Sequence, residues 1–198
     1  MKTVIVGRTH MGVASACAGA LSLDDGRGLR LFNVAGEYPI RDHYRVGQAW
    51  DMDVEPKEQV RPPHVEDVVV HRERYIGDIA DLRGLVLGLV TPWQGELDHV
   101  FENTLTVANS KLYVGPGGSL PSQSTHFWLA DRELRFDADE TRYEAVLGQR
   151  RTIKYVGLDE PTPTIVPGEL VRLSLASWYQ GRYLPEERCY LQVSGSLG

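Results

Sequence analysis

The chain has 198 residues, 42% of them hydrophobic and 24% charged, so it can build a packed core and does not have the composition of a disordered polymer. Its 21 lysines and arginines against 27 aspartates and glutamates leave a net charge of −6, which argues against a surface that grips nucleic acid all over. Two cysteines, Cys17 and Cys189, are too few for a disulfide framework or a cysteine-rich zinc site, and no apolar run approaches the ~18 residues a membrane helix needs.

The opening residues, Met-Lys-Thr-Val-Ile-Val-Gly, reach Arg8 and His10 without the long apolar region of a secretory signal, so a cytoplasmic protein is expected. Strands are then expected over residues 3–6, 28–34, 49–54 and 65–70, divided by turns rich in Gly, Pro and Asp. Residues 50–54, Trp-Asp-Met-Asp-Val, alternate apolar and acidic side chains with period two, as a strand with one dry and one wet face would. Asp78 is placed to cap a helix through Ile79, Leu82, Val86 and Leu89 that Thr91-Pro92 stops. A short helix over 96–105 is expected to complete a connector.

Strands return over 127–129, 133–136, 142–146, 152–156, 170–175 and 189–194, with a Gly-Pro-rich loop from Gly115 and a stiff Pro-rich stretch over 161–167. The fold class is therefore mostly β: a first small barrel over 1–78, a helical connector over 79–109 and a second barrel over 110–198. One echo links the halves. Gly47 and Gly168 are each followed by apolar residues three, five and seven positions on, as a turn feeding a barrel strand would be.

The densest group of ionisable residues is His64, Glu66, Asp67 and His71. On a strand His64 and Glu66 share one face while Asp67 and His71 take the other, so the four do not converge and no metal is expected. A structural role, with Glu66 or Asp67 bonding backbone amides, is the expectation. The chain contains no Gly-x-Ser-x-Gly elbow, phosphate-binding loop, dinucleotide fingerprint or His-Glu-x-x-His motif. No catalytic residue or cofactor is assigned, and a non-enzymatic binding role is expected.

Aromatic residues close to arginines supply the binding candidates: Arg30 with Phe32, Trp128 with Arg132, and Trp178 and Tyr179 with Arg182, together with Arg72. Stacking beside positive charge is how single-stranded nucleic acid is held, while core packing is the competing role for each aromatic. The acidic groups Asp51, Asp53 and Glu55, and Asp137, Asp139 and Glu140, would repel phosphate and suit a basic protein partner.

Several short segments carry a family resemblance: Thr9-His10-Met11 with Cys17-Ala18-Gly19, Leu29-Arg30, Pro62-Pro63-His64-Val65-Glu66-Asp67, and Cys189-Tyr190-Leu191 through Gly195. Together they resemble the prokaryotic dual OB-containing domain family, although the tryptophan and proline that flank the family's arginine are absent around Arg30. The resemblance implies two tandem OB-like barrels and a link to mobile-element or defence systems but carries no activity with it; a nucleic-acid-associated binding module is the expectation drawn from the arginines beside aromatics on such barrels. The alternative reading is a protein-interaction or scaffold subunit of a larger assembly. No membrane partner is expected.

Overall fold

A computed structural model describes residues 1–146 and 148–197. The chain divides into two compact units, which are described separately. The first comprises Met1–Arg61, Val65–Thr91 and the short return Gly157–Asp159; the second comprises Pro62–His64, Pro92–Val156 and the chain from Glu160 on.

In the first unit, β1 (Lys2–Met11), β2 (Ser15–Ser22), β3 (Gly28–Phe32), β4 (Gln48–Pro56) and β5 (Asp67–Asp78) close into a barrel in the order β1-β2-β3-β5-β4. Only the β3/β5 pair is parallel. Alternation sorts the faces: Leu29 and Leu31 of β3, Met52 of β4 and Val68 and Val70 of β5 join Ile5, Ala18 and Ala20 in the core, while Asp51 and Asp53 point away. Register shifts between Ile5 and Gly7, Ala49 and Trp50, and Asp53 and Val54 give the long strands the bends that closure requires. The strand β2 is absent from the sequence expectation because its Ser-Ala-Cys-Ala-Gly-Ala run has weak β propensity; its alanines are buried by position, not by size.

Two local expectations are corrected. The helix α1 (Leu82–Leu89) starts three residues later than expected, because Asp78 ends β5 and Asp81 is the cap, its carboxylate accepting from Gly84 N at 2.7 Å. The end of α1 fixes Gly26, at φ +70°, so closely that a Cβ there would lie 2.5 Å from the Leu89 carbonyl oxygen. The helix expected over 96–105 is only a 3-10 turn at Leu97–His99, followed by Phe101, Glu102 and Asn103 with φ of 55°, 61° and 60°, which a right-handed helix excludes. Residues 79–91 belong to the first unit and 92–109 to the second.

The second unit contains β6 (Thr106–Ala108), β7 (Lys111–Val114), β8 (Thr125–Leu129), β9 (Leu134–Asp137), β10 (Arg142–Ala145), β11 (Thr152–Tyr155), β12 (Thr164–Ile165), β13 (Leu170–Leu175) and β14 (Cys189–Leu197). Its sheet runs β12-β9-β10-β11-β14-β13-β8, with β7 pairing β14 and β6. The stretch β9-β10-β11-β14-β13 repeats the pairing series of the first barrel: antiparallel, antiparallel, parallel, antiparallel. The strand β13 thus takes the place of β4, and β8, just before β9, flanks it antiparallel as β1 flanks β4. Gly47 and Gly168, just ahead of β4 and β13, share a left-handed conformation at φ +87° and +88°. The core gathers Trp128, Leu134, Tyr143, Ile153, Val171, Leu173, Leu191 and Val193 from these strands.

Candidate nucleic-acid interface

The period-two alternation that sends Tyr143, Ile153 and Leu191 into the second core turns their neighbours outward. Register then brings these neighbours together: Arg142 on β10 is the partner of Lys154 on β11, which is in turn the parallel partner of Gln192 on β14. Tyr190 shares the outer face two residues before Gln192. With Lys111 at the start of β7 and Tyr179 from the β13–β14 loop, these side chains line a groove of about 430 Å³, with Glu140 at its margin.

The groove combines charge and flat apolar surface. Among the described residues, Lys111 and Lys154 form no ion pair and the side-chain amide of Gln192 no hydrogen bond. Tyr179 is 58% exposed. Its backbone is fixed by a two-way bridge to Arg188, Tyr179 N to Arg188 O at 3.1 Å and Arg188 N to Tyr179 O at 3.0 Å. The Arg188 guanidinium sits 4.0 Å from the centroid of Tyr113, whose ring lies 5.9 Å from that of Tyr190, so the inner tyrosine is braced from behind.

The residues proposed from sequence fall in several places. Tyr179 alone among them lines this groove. Trp128 is completely buried, its indole N–H donating to Gly95 O at 3.0 Å, so no base can stack on it in this fold. Trp178 packs against the second core and donates from Nε1 to Pro62 O at 2.8 Å. Arg182 lies 5.4 Å from the centroid of the exposed Tyr183 ring on the same loop as Tyr179. Arg132 is bidentate to Asp131, at 2.8 and 2.7 Å, beside a separate cavity that also exposes the Arg151–Asp98 pair. The Asp131 bond outweighs the cost of burial and raises the Arg132 pKa.

In the first unit Arg30 closes on Asp67, and Phe32 is buried beneath Lys57, whose ammonium is 3.8 Å from the ring centroid, and Tyr38, 4.8 Å away. Burial alone would lower the Arg30 pKa; the Asp67 bond and charge raise it instead. Arg72 is exposed on β5 beside a smaller cleft that it shares with His43, His71 and Glu73.

The polar cluster around His64 disperses. The strand β5 begins at Asp67, so His64 and Glu66 do not share a strand face: His64 belongs to the second unit, buried 3.8 Å from Cys189 Sγ, and Glu66 offers its carbonyl to Arg30 N at 2.8 Å. His71 pairs with Glu55 at 2.8 Å. Among the described residues no three His, Cys, Asp or Glu side chains are placed to hold a metal ion. The acidic groups are also largely engaged, Asp51 with Arg74 at 3.1 Å and Glu140 with Arg142 at 3.4 Å.

Sequence reasoning missed Lys111, Arg142, Lys154, Tyr190 and Gln192. The available signal was the outward set of two expected strands, 142–146 and 152–156, which alternation gives; the pairing that unites them with β14 is not local.

No helix among the described residues is long and apolar enough to cross a membrane. The first unit, with its closed order β1-β2-β3-β5-β4 and single parallel pair, is an OB-like barrel. No family model, curated protein or solved structure matches the chain.

Proposed function

We propose that the chain is a non-enzymatic module of two tandem OB-like barrels that binds single-stranded nucleic acid through the groove of the second unit. The observation that carries this reading is a groove over the outer face of β10, β11 and β14 in which Lys154 and Tyr190 are joined by Lys111 from β7 and Tyr179 from the β13–β14 loop, the two lysines having no ion-pair partner among the described residues. Under the repeated pairing order these are the second, third and fifth strands of a barrel, and the second and third form the face with which OB folds hold oligonucleotides. The loop that contributes Tyr179 is then the fourth-to-fifth connection, and the turn that contributes Glu140 the first-to-second, the two loops that flank this face in OB folds. In the first unit Arg30 and Phe32 are engaged by Asp67 and Lys57, so the reading commits to the second. Its setting is cytoplasmic, and its class that of the prokaryotic dual OB-containing domain proteins of mobile-element or defence systems.

The chemistry is a tyrosine surface for bases, which every base can use, with ammonium groups for the phosphates. Binding is therefore expected to be tolerant of sequence and sensitive to salt. Fluorescence anisotropy with a labelled single-stranded oligonucleotide of about 12 nucleotides, within the range one OB fold covers, tests it. Each phosphate neutralised contributes about −0.7 to the slope of log affinity against log salt, so two or three groove cations predict a slope of about −1.4 to −2.1. Absence of binding at low salt would remove the reading.

A further inference from the structure

The groove cations are not equivalent. Lys111 and Lys154 have no carboxylate partner among the described residues, but Arg142 is surrounded by three: Glu144 Oε1 lies 2.8 Å from Nη2, Glu140 Oε2 3.4 Å from Nη1 and Asp137 Oδ2 3.8 Å from Nη2. Glu140 comes from the β9–β10 turn, and Asp137 is the last residue of β9, where that turn begins. That turn is ordered by its own bonds, Asp139 N and Glu140 N donating to Asp137 Oδ1 at 3.1 and 3.3 Å, with Thr141 at φ +50° closing it. The guanidinium Nε is buried and has no hydrogen-bond partner among the described residues, so Arg142 can offer a ligand only the N–H groups of Nη1 and Nη2, and each of these nitrogens already faces a carboxylate.

Resting on the nucleic-acid reading of this groove, we propose that the acidic β9–β10 turn is a built-in competitor of the phosphate backbone: Glu140, with Glu144, holds Arg142 as a phosphate would, until a strand displaces it. A carboxylate presents two oxygens to a guanidinium much as a phosphate does, so the two compete for the same donors. The contact is exchangeable because Glu140 is 59% exposed and screened by water. Glu144 keeps a second cation, Arg150 Nη2 at 3.1 Å, and so has a partner when it leaves Arg142. An isolated phosphate must win this exchange alone, whereas a strand already held by Lys111, Lys154 and the tyrosines brings its phosphate to Arg142 at high effective concentration. The device therefore selects strands over free phosphate and mononucleotides.

The test is a set of anisotropy titrations with one labelled 12-mer over a salt series. The E140Q/E144Q double variant is expected to bind 3- to 10-fold tighter than the wild type, with the salt slope steeper by about 0.7, one further phosphate being neutralised. The control E133Q, whose carboxylate engages Arg135 at 2.7 Å, removes a charge of the same sign without freeing Arg142 and is expected to change affinity less than 2-fold. In an Arg142→Ala background the E140Q/E144Q gain should fall to the level of that control. A gain no larger than that of E133Q, or one that survives in Arg142→Ala, overturns the competitor. A K111A/K154A variant reports separately on the groove: if it binds as the wild type does, the nucleic-acid reading of this site fails and the competitor with it. Far-ultraviolet circular dichroism on each variant confirms that the compared chains are folded.

Discussion

Arg142 and Lys154 are direct partners across the β10–β11 ladder, yet among the described residues only Arg142 of the two has carboxylates within ion-pair distance. One strand pair thus presents an open cation beside a covered one, and Lys154 is the residue from which affinity should be easiest to remove. The K111A/K154A variant is expected to lower affinity for a single-stranded oligonucleotide at least 10-fold at low salt and to flatten the salt slope by about 1.4. Both side chains are exposed, so its thermal unfolding should match the wild type within about 0.5 kcal/mol.

Tyr179 and Trp128 separate surface stacking from core packing. Tyr179→Ala is expected to weaken binding by about 1–3 kcal/mol, the contribution of one stacked base, while Tyr179→Phe keeps most of it because the ring, not the hydroxyl, carries the contact. Trp128→Ala is expected to cost about 3–5 kcal/mol of stability through the cavity it leaves. Denaturant unfolding followed by circular dichroism reads the second effect, and anisotropy the first.

The loop from Asp24 to Gly28 meets the end of α1 at Gly26, where a methyl group would lie 2.5 Å from the Leu89 carbonyl oxygen, at a backbone φ of +70° that L side chains rarely adopt. Gly26→Ala should therefore destabilise the first unit by about 1–3 kcal/mol, through strain and displacement of the helix end. Calorimetric unfolding of the full chain checks it, and a melting temperature equal to that of the wild type would contradict it.

The ion pair between Arg151 and Asp98 should behave differently from the exposed pairs. Arg151 is 7% exposed and donates to both Asp98 oxygens, so Asp98→Ala leaves a buried guanidinium without its carboxylate and is expected to cost about 2–4 kcal/mol. Arg135→Ala, which breaks the exposed pair with Glu133, is expected to cost less than about 1 kcal/mol. Urea midpoints of the two variants, compared with the wild type, give the contrast.

Alkaline pH offers a further check. Burial, and then the bond to Glu73, raise the Tyr44 pKa; burial, and then the charge of Tyr155, raise that of Tyr143. The folded chain keeps these phenol protons where an unfolded tyrosine, at about pH 10, gives them up. Their contribution to stability is therefore complete below about pH 10 and is lost as pH rises above it. Urea midpoints should fall between pH 9 and pH 11, and a Tyr143→Phe chain should fall less steeply.

Much of the fold was legible where alternation was strong. Residues 50–54 and 170–175 each lie inside an observed strand, β4 and β13, and the glycines ahead of them share one backbone conformation. The strand β2 was invisible because alanine, glycine and serine carry no period-two contrast, and its burial comes from the strands beside it. The site was harder to read for a physical reason. Candidates chosen as arginines adjacent in sequence to aromatics gave Trp128, whose ring lies inside the core, and Phe32, which lies beneath Lys57. The groove joins Arg142, Lys154 and Gln192, residues far apart in the chain that only strand register makes neighbours. Tyr179 lines the groove from an exposed loop, which needs no register to present a side chain.

An NMR titration of the isotope-labelled full chain with a single-stranded 12-mer at low salt, following backbone amides, shows whether the groove of the second unit holds the strand. Shifts are expected to concentrate at Lys111, Arg142, residues 152–154, Tyr179 and residues 190–192, and to reverse as salt is raised. An absence of shifts at low salt, or shifts confined to the first barrel, would contradict the nucleic-acid reading of the groove.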